Sequence, residues 1–288
     1  FGKTLYSHFY KTYTLKYWRT SPEKLDYKNW TKKRIVSRNI IKSIYSMFFE
    51  KEKYELVYNI FYYPKAGGFY NFFKKKFRKY KVNYKNKIDK IDVKNKTVYS
   101  NKKKFKYNKL FSTVPLPEYL NLIKNIPNKV KTELKKLKYT STICINFSLK
   151  KRTKVDHHLC YFYDKNIDAA RMTVLSNILK QNKNFYYGQL EIFRRNDEKI
   201  NLKDIENNSK KFLKKFFKIK NENDFLIFKS NIVKYSYPIP LININTNIIH
   251  AWLKKNDIIP FGLYGVWRYM WSDESYINGK QIAEHYSR

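Results

Sequence analysis

The residues best placed to do chemistry lie in the last stretch of the chain. Ile258, Ile259 and Phe261 form a short apolar run, Gly262 and Gly265 open the backbone, and Ser272 or Asp273 can cap a helix carrying Ile277 and Ala283 inward. The pattern predicts a strand that breaks into a helix, with Glu274 and Ser275 in its first turn. A helix N-terminus presents unsatisfied N–H groups and a partial positive charge, which suits an electron-rich ligand edge. Trp267, Tyr269 and Trp271 sit in this turn, and Tyr237 precedes Pro238 after an earlier strand. Such rings either pack a core or give a pocket flat apolar walls that exclude water. The sequence leaves both readings open.

Arg171 is the other candidate, on a short strand after Asp168, Ala169 and Ala170. Its guanidinium could fork a phosphate or carboxylate, and a surface salt bridge is the ordinary alternative. Other chemistries find little support. His157 and His158 are adjacent, so on a strand they point to opposite faces, and no Cys or carboxylate cluster stands at ligand spacing, so no metal is expected. There is no Gly-x-Ser-x-Gly elbow for a serine nucleophile. Cys144 and Cys160 each lie in an apolar strand-like run and read as buried free thiols, a usage that suits a reducing cytoplasm.

The elements that must position these residues follow from periodicity. Leu5, Phe9 and Tyr13 recur at helical spacing, and Ile40, Ile41, Ile44, Tyr45, Phe48 and Phe49 form a second apolar cluster. Residues 57–63 read as a strand ending at Pro64, and Gly67-Gly68 lead into a helix bearing Phe69, Phe72, Phe73 and Phe77. Short alternating bursts over 80–113, with a turn at Asn95-Lys96, predict an antiparallel meander. Helical spacing marks 117–137, 202–218 and 244–255; strands are expected at 140–149, 159–163, 171–175, 185–193 and 225–233.

The chain has 288 residues, enough for one large domain or two smaller ones. Its formal charge of +38 would ordinarily point to nucleic acid or an anionic surface. The lysines are instead spread through almost every segment, and abundant Asn, Ile, Tyr and Phe accompany them, a set that AT-rich codons favour together. No specific nucleic-acid partner is expected, although the charge could attract a polyanionic substrate. The rival reading is a non-enzymatic basic protein that coats nucleic acid or anionic surfaces, whose affinity would fall steeply with salt. No apolar run has the length of a membrane-spanning helix. The sequence starts at Phe1 within amphipathic text, as the later part of a longer protein would.

Several segments resemble the FAD-dependent amine oxidase and protoporphyrinogen oxidase superfamily, in particular its UDP-galactopyranose mutase-like members. The closing stretch from Gly262 to Ala283 resembles the superfamily's flavin-closing segment. Phe9, Tyr13, Lys16 and Trp18 match its aromatic F-x-x-P-Y-x-x-K-x-W-G text, with Thr12 and Arg19 in place of its proline and glycine. Tyr63-Pro64-Lys65-Ala66-Gly67-Gly68 is similar to its Y-P-x-G-G-x-G turn, with Ala66 as a variation and Tyr70 at a usual glycine. Leu110 to Pro117 resembles its V-I-S-T-I-P-L-P strand, Tyr235 to Pro238 its Y-x-Y-P strand, and Leu175-Ser176-Asn177 its P-S-N turn.

The resemblance implies an α+β chain: an antiparallel substrate-domain sheet with helices, plus the carboxy-terminal part of a FAD-binding, glutathione-reductase-like domain. It divides the chain into a helical substrate part (1–60), a meander returning to the FAD domain (61–118), the substrate sheet (119–240) and the closing segment (241–288). It implies FAD contacts from the Ile88 backbone at the adenine, Ser112, Thr113, Gly265, Trp267, Asp273, Glu274 and Ser275, with the flavin's N1–C2=O edge at the helix start. Tyr237 and Arg171 would line the substrate pocket. The implied activity is oxidation of a C–N or C–C bond, or a redox-neutral mutase reaction on a nucleotide sugar of cell-envelope polysaccharide synthesis. The sequence lacks a Gly-x-Gly-x-x-Gly, so the unit that cradles the FAD pyrophosphate is absent from it and the FAD domain is expected to be incomplete.

Overall fold

A computed structural model describes residues 2–26, 62–65, 67–151, 153–179 and 185–287. The expected cluster from Ile40 to Phe49, most of the 57–63 strand and Ala66 lie outside the described residues. Two compact units form: Phe1–Leu25 with Asn86–Arg288, and Asp26–Lys85. In the second unit, a helix at Gly68–Phe77 starts after Gly67, whose φ of 71° is the left-handed conformation that glycine adopts at least cost.

In the first unit the chain opens with helical turns that pass through a wide π turn at Tyr6–Tyr10 into an α-helix at Lys11–Trp18. The wide turn shifts the helical phase, so the expected face does not hold. Leu5 and Phe9 stay exposed at 43% and 47%, while Tyr17 and Trp18 are buried. Arg19, at the glycine of the family text, closes the helix with φ 52° and a fork onto Glu198 at 3.0 to 3.2 Å.

The antiparallel meander follows: β1 (Ile88–Asp92), β2 (Thr97–Ser100) and β3 (Lys103–Lys106). Asp92 accepts hydrogen bonds from the Asn95 backbone and side chain, and Lys96 takes a positive φ, which makes the expected turn. After β4 (Leu110–Ser112), the helical text over 117–137 splits into Tyr119–Leu122 and Asn128–Lys136. Ile123 already leaves the helical region, and Pro127, which disfavours a helical residue before it, stands at the start of the second helix.

The five-stranded sheet consists of β5 (Tyr139–Leu149), β6 (Leu159–Tyr161), β7 (Arg171–Thr173), β8 (Tyr186–Arg195) and β9 (Phe225–Pro238), in the order β6-β7-β8-β5-β9. Every pairing is antiparallel. Alternate residues Ile143, Ile145, Phe147 and Leu149 of β5 form the main core with Leu190, Ile192, Leu213 and Phe217. The last two come from the Leu202–Phe217 helix, whose N-cap Asn201 accepts from the Asp204 N–H. Gly188 of β8 has no room for a side chain: a Cβ there would lie 2.6 Å from the Thr173 carbonyl and 2.8 Å from the Phe147 ring. β9 runs past its expected end to Pro238, through a register shift between Thr140 and Thr142.

A second core gathers Leu116, Tyr119, Leu134, Ile249, Leu253, Ile258 and Trp267. Here β10 (Ile258–Pro260) pairs in parallel with β4, Ile258 opposite Leu110 and Pro260 opposite Ser112. The chain ends in the Ser272–Tyr286 helix. None of its residues is buried; Ile277 is 51% exposed and Ala283 is exposed. The expected inward face is therefore corrected. The less exposed side carries Asn278, Gly279, Ile282 and Tyr286, which recur at helical spacing, and Gly279 lies against the Phe261 ring.

Candidate functional site

The site grows from the carboxyl ends of β4 and β10. The Phe261 N–H donates to the Ser112 carbonyl at 3.0 Å, continuing the parallel ladder one residue past Pro260. Gly262 then turns with φ 68°, and its N–H donates to Asn278 Oδ1 at 2.7 Å, which ties the turn to the closing helix. Gly265 must be glycine for space: a Cβ would lie 2.8 Å from the Ser112 carbonyl oxygen. A Cβ on Gly262 would meet Thr113 Cγ2 at 3.6 Å. Ser112, Thr113, Gly262 and Gly265 thus converge from segments about 150 residues apart.

Their remaining chemistry is partly used. Ser112 Oγ accepts from Tyr119 Oη at 2.7 Å and from the Val114 N–H at 3.3 Å, whereas Thr113 is exposed. Ile88 pairs with Ser100 at a β-bulge and packs on the second core. Trp267 is 7% exposed inside that core, with its ring perpendicular to Tyr139 at 6.4 Å. Its φ of 54° is rare for so bulky a residue, and among the described residues its buried Nε1 has no hydrogen-bond partner. Trp271, rather than Ser272 or Asp273, stands at the N-cap of the closing helix, and its N–H donates to Glu274 Oε2 at 3.0 Å. Asp273 is exposed; Ser275 contacts Met270 Sδ at 4.0 Å.

The turn reaches the five-stranded sheet through tyrosines. Tyr264 Oη donates to the Tyr235 carbonyl at 2.8 Å, and Tyr269 stacks on Tyr237 at 5.3 Å. Tyr237 stacks in turn on Tyr17 at 5.2 Å, and Tyr17 on Tyr13 at 5.9 Å. Burial holds the phenols of Tyr13, Tyr17 and Tyr237 above their ordinary pKa, so they are neutral hydroxyls at pH 7.

Arg171 is within electrostatic reach of these rings and forks Glu191, its register partner on β8: Nε to Oε1 at 3.2 Å and Nη2 to Oε2 at 2.6 Å. Burial opposes the cation, but the Glu191 charge and hydrogen bonds outweigh it and hold the guanidinium pKa above its ordinary value. The expected fork is thus made to a carboxylate of the same chain. Cys144 of β5, opposite Glu191 of β8, has its thiol pushed up to about 11, chiefly by burial, so little of it is thiolate at neutral pH. His157 and His158 are exposed, and among the described residues no group of three His, Cys, Asp or Glu side chains could hold a metal.

Tyr17 and Glu191 were not singled out by sequence. The i, i+4 spacing of Tyr13 and Tyr17 was available, but the Arg171–Glu191 pairing depends on a register between strands that no local pattern encodes.

This fold is shared by solved structures of a mutase, an isomerase and a candidate oxidase. No family model and no curated protein matches the chain. The structure of reduced UDP-galactopyranose mutase superposes with a TM-score of 0.81 at 21% identity, over 99% of this chain and 64% of that one. A CLA-producing fatty acid isomerase from P. acnes follows at 0.55 and 10% identity, over 77% of this chain and 52% of that one. A candidate protoporphyrinogen oxidase from Exiguobacterium sp. 255-15 gives 0.52 and 10% identity, over 66% and 43% of the two chains. The chain thus spans 64% of the length of the mutase structure.

Proposed function

We propose that this chain supplies the substrate side, and the closing edge of the FAD domain, of a flavin-dependent enzyme acting on a nucleotide sugar in cell-envelope polysaccharide synthesis. The observation that carries the reading is the convergence of Ser112, Thr113 and Gly265 with a turn that reaches Tyr237 through Tyr264 and Tyr269. The fit to FAD is one-sided. A close backbone approach at Gly265, a left-handed Gly262 and a helix N-terminus suit a flat, electron-rich ring. The sequence offers no glycine-rich cradle for the pyrophosphate.

In this reading the backbone at Ser112, Thr113 and Gly265, and the first turn at Asp273, Glu274 and Ser275, hold the flavin. Ile88 meets the adenine end, and Trp267 braces the turn from the core. Bound FAD supplies either a hydride acceptor or, when reduced, a nucleophilic nitrogen. The chain's own residues bind and orient: Tyr237 and Tyr269 wall the pocket and keep water out, and the helix start stabilises negative charge on the ring. Arg171 spends two of its five N–H groups on Glu191 and offers the rest to a substrate phosphate. The excess lysine charge draws a polyanionic substrate inward. Among the described residues no helix is long and apolar enough to cross a membrane, and the two free cysteines fit a reducing cytoplasm.

Absorption spectroscopy tests the reading. The natural full-length gene product should purify yellow and turn over or bind UDP-galactose, whereas the 288-residue chain alone should be colourless. A stoichiometric flavin spectrum on the 288-residue chain would refute the incomplete-domain assignment; a colourless full-length product would refute the flavoenzyme assignment.

A further inference from the structure

Lys16 is a buried amine with no part in the site described above. It is 9% exposed, on the helix that carries Tyr13 and Tyr17, and its Nζ donates to the Phe162 carbonyl at 2.8 Å and the Ala169 carbonyl at 3.1 Å. These carbonyls belong to the two ends of the β6 to β7 connection, where the Phe162 N–H also donates to Ala170 at 3.0 Å. One ammonium therefore closes the base of that connection and ties it to the helix. Ala169 lies two residues before Arg171, and Lys16 lies next to Tyr17 and one turn after Tyr13.

Other contacts between these elements are ring against ring: Tyr13 with Tyr161 at 5.7 Å and Tyr163 at 5.3 Å, and Phe9 with Tyr163 at 5.3 Å. Ring contacts tolerate sliding, because apolar attraction has little directionality, whereas two short hydrogen bonds from one nitrogen fix a position. A desolvated ammonium is a costly way to fill space that a methionine side chain would fill more cheaply. We propose that Lys16 is a positioning residue for the nucleotide-sugar pocket: it sets the separation between the Tyr13–Tyr17 ring pair and Arg171. The pocket's ligand rests on the function proposed above; the clamp itself does not.

The full-length gene product with serine at every cysteine except Cys144, Cys160→Ser included, provides the background for Lys16→Met and Lys16→Arg, so that thiol reagents report on Cys144, the register neighbour of Glu191. Without ligand, Lys16→Met should speed Cys144 labelling about tenfold by freeing the sheet face beneath the rings. With UDP as the probe, calorimetry should show affinity about tenfold weaker, as displaced pocket walls cost binding. Lys16→Arg, which retains donors, should recover part of both. A purely structural lysine would lower the melting temperature yet leave UDP affinity of the folded variant unchanged, and that result overturns the proposal. So does a folded Lys16→Met with unchanged labelling. Should Lys16→Met fail to fold, Lys16→Arg and Lys16→Gln provide the same comparison. If the parent protein binds no UDP, the nucleotide-sugar reading falls, and the Cys144 rate alone decides whether Lys16 clamps.

Discussion

The five-stranded sheet and the β4 to β10 pair solve the same packing problem to different degrees. β5 runs for 11 residues between two antiparallel neighbours, and its inward face closes against the Leu202–Phe217 helix. The parallel pair is three residues long, and the closing helix beside it buries no residue. Parallel sheets are normally covered on both faces, and two strands make a marginal sheet. The first region completes its own core. The second buries the short strand β10 yet leaves its closing helix without a buried residue.

Substitutions in the two regions should therefore differ in cost, and four of them, from largest to smallest effect, can break or sharpen the contrast. Gly188→Val forces a branched side chain between the Thr173 carbonyl and the Phe147 ring and should cost roughly 3 kcal/mol or more, read as a lower urea midpoint. A cost under about 1 kcal/mol would mean that the sheet is looser than its geometry. Arg171→Met leaves the Glu191 carboxylate, whose side chain is only 10% exposed, without its fork; the expected cost is about 2 kcal/mol, also by urea.

The third concerns pH. Burial lowers the Lys16 pKa to about 8, against the opposing charges of Asp164 and Asp168. The unfolded chain then binds more protons than the folded one between that value and the ordinary lysine value, so stability should rise with pH there. From about pH 8 to about pH 9.5 the gain should be about 1.5 kcal/mol in the parent relative to Lys16→Met. Parallel stability curves for the two proteins would show that the amine is not buried in solution. Last, Ile277→Asp in the 288-residue chain should change stability by no more than about 0.5 kcal/mol, because Ile277 is half exposed. A larger loss would show that the closing helix is packed, contrary to the contrast.

How far the sequence foretold this depends on whether the deciding interaction was local. The strand text over 140–149 and the turn at Asn95-Lys96 were legible because alternation and turn chemistry act between near neighbours. The inward face of the closing helix was misread because apolar residues were assigned to the interior, whereas Asn278 faces inward to hold the Gly262 N–H. The first helix was misphased because a π turn leaves no mark in the spacing that precedes it. At the site, the glycines at 262 and 265 were visible as breaks, but the strand that Gly265 would meet lay far back in sequence. The Arg171 fork and the Lys16 clamp were invisible for the same reason.

Pro260 eases a polar demand inside the second core. Asp257 and Phe261 turn their backbone groups toward β4, so by alternation Ile258 and Pro260 turn theirs to the other side. All three residues of β10 are buried, and the backbone at Gly265 lies close against Pro260. A backbone N–H on that covered side would be cut off from water and would need a partner within the protein. Proline has no N–H, so at position 260 the strand closes against the turn with no donor left to satisfy.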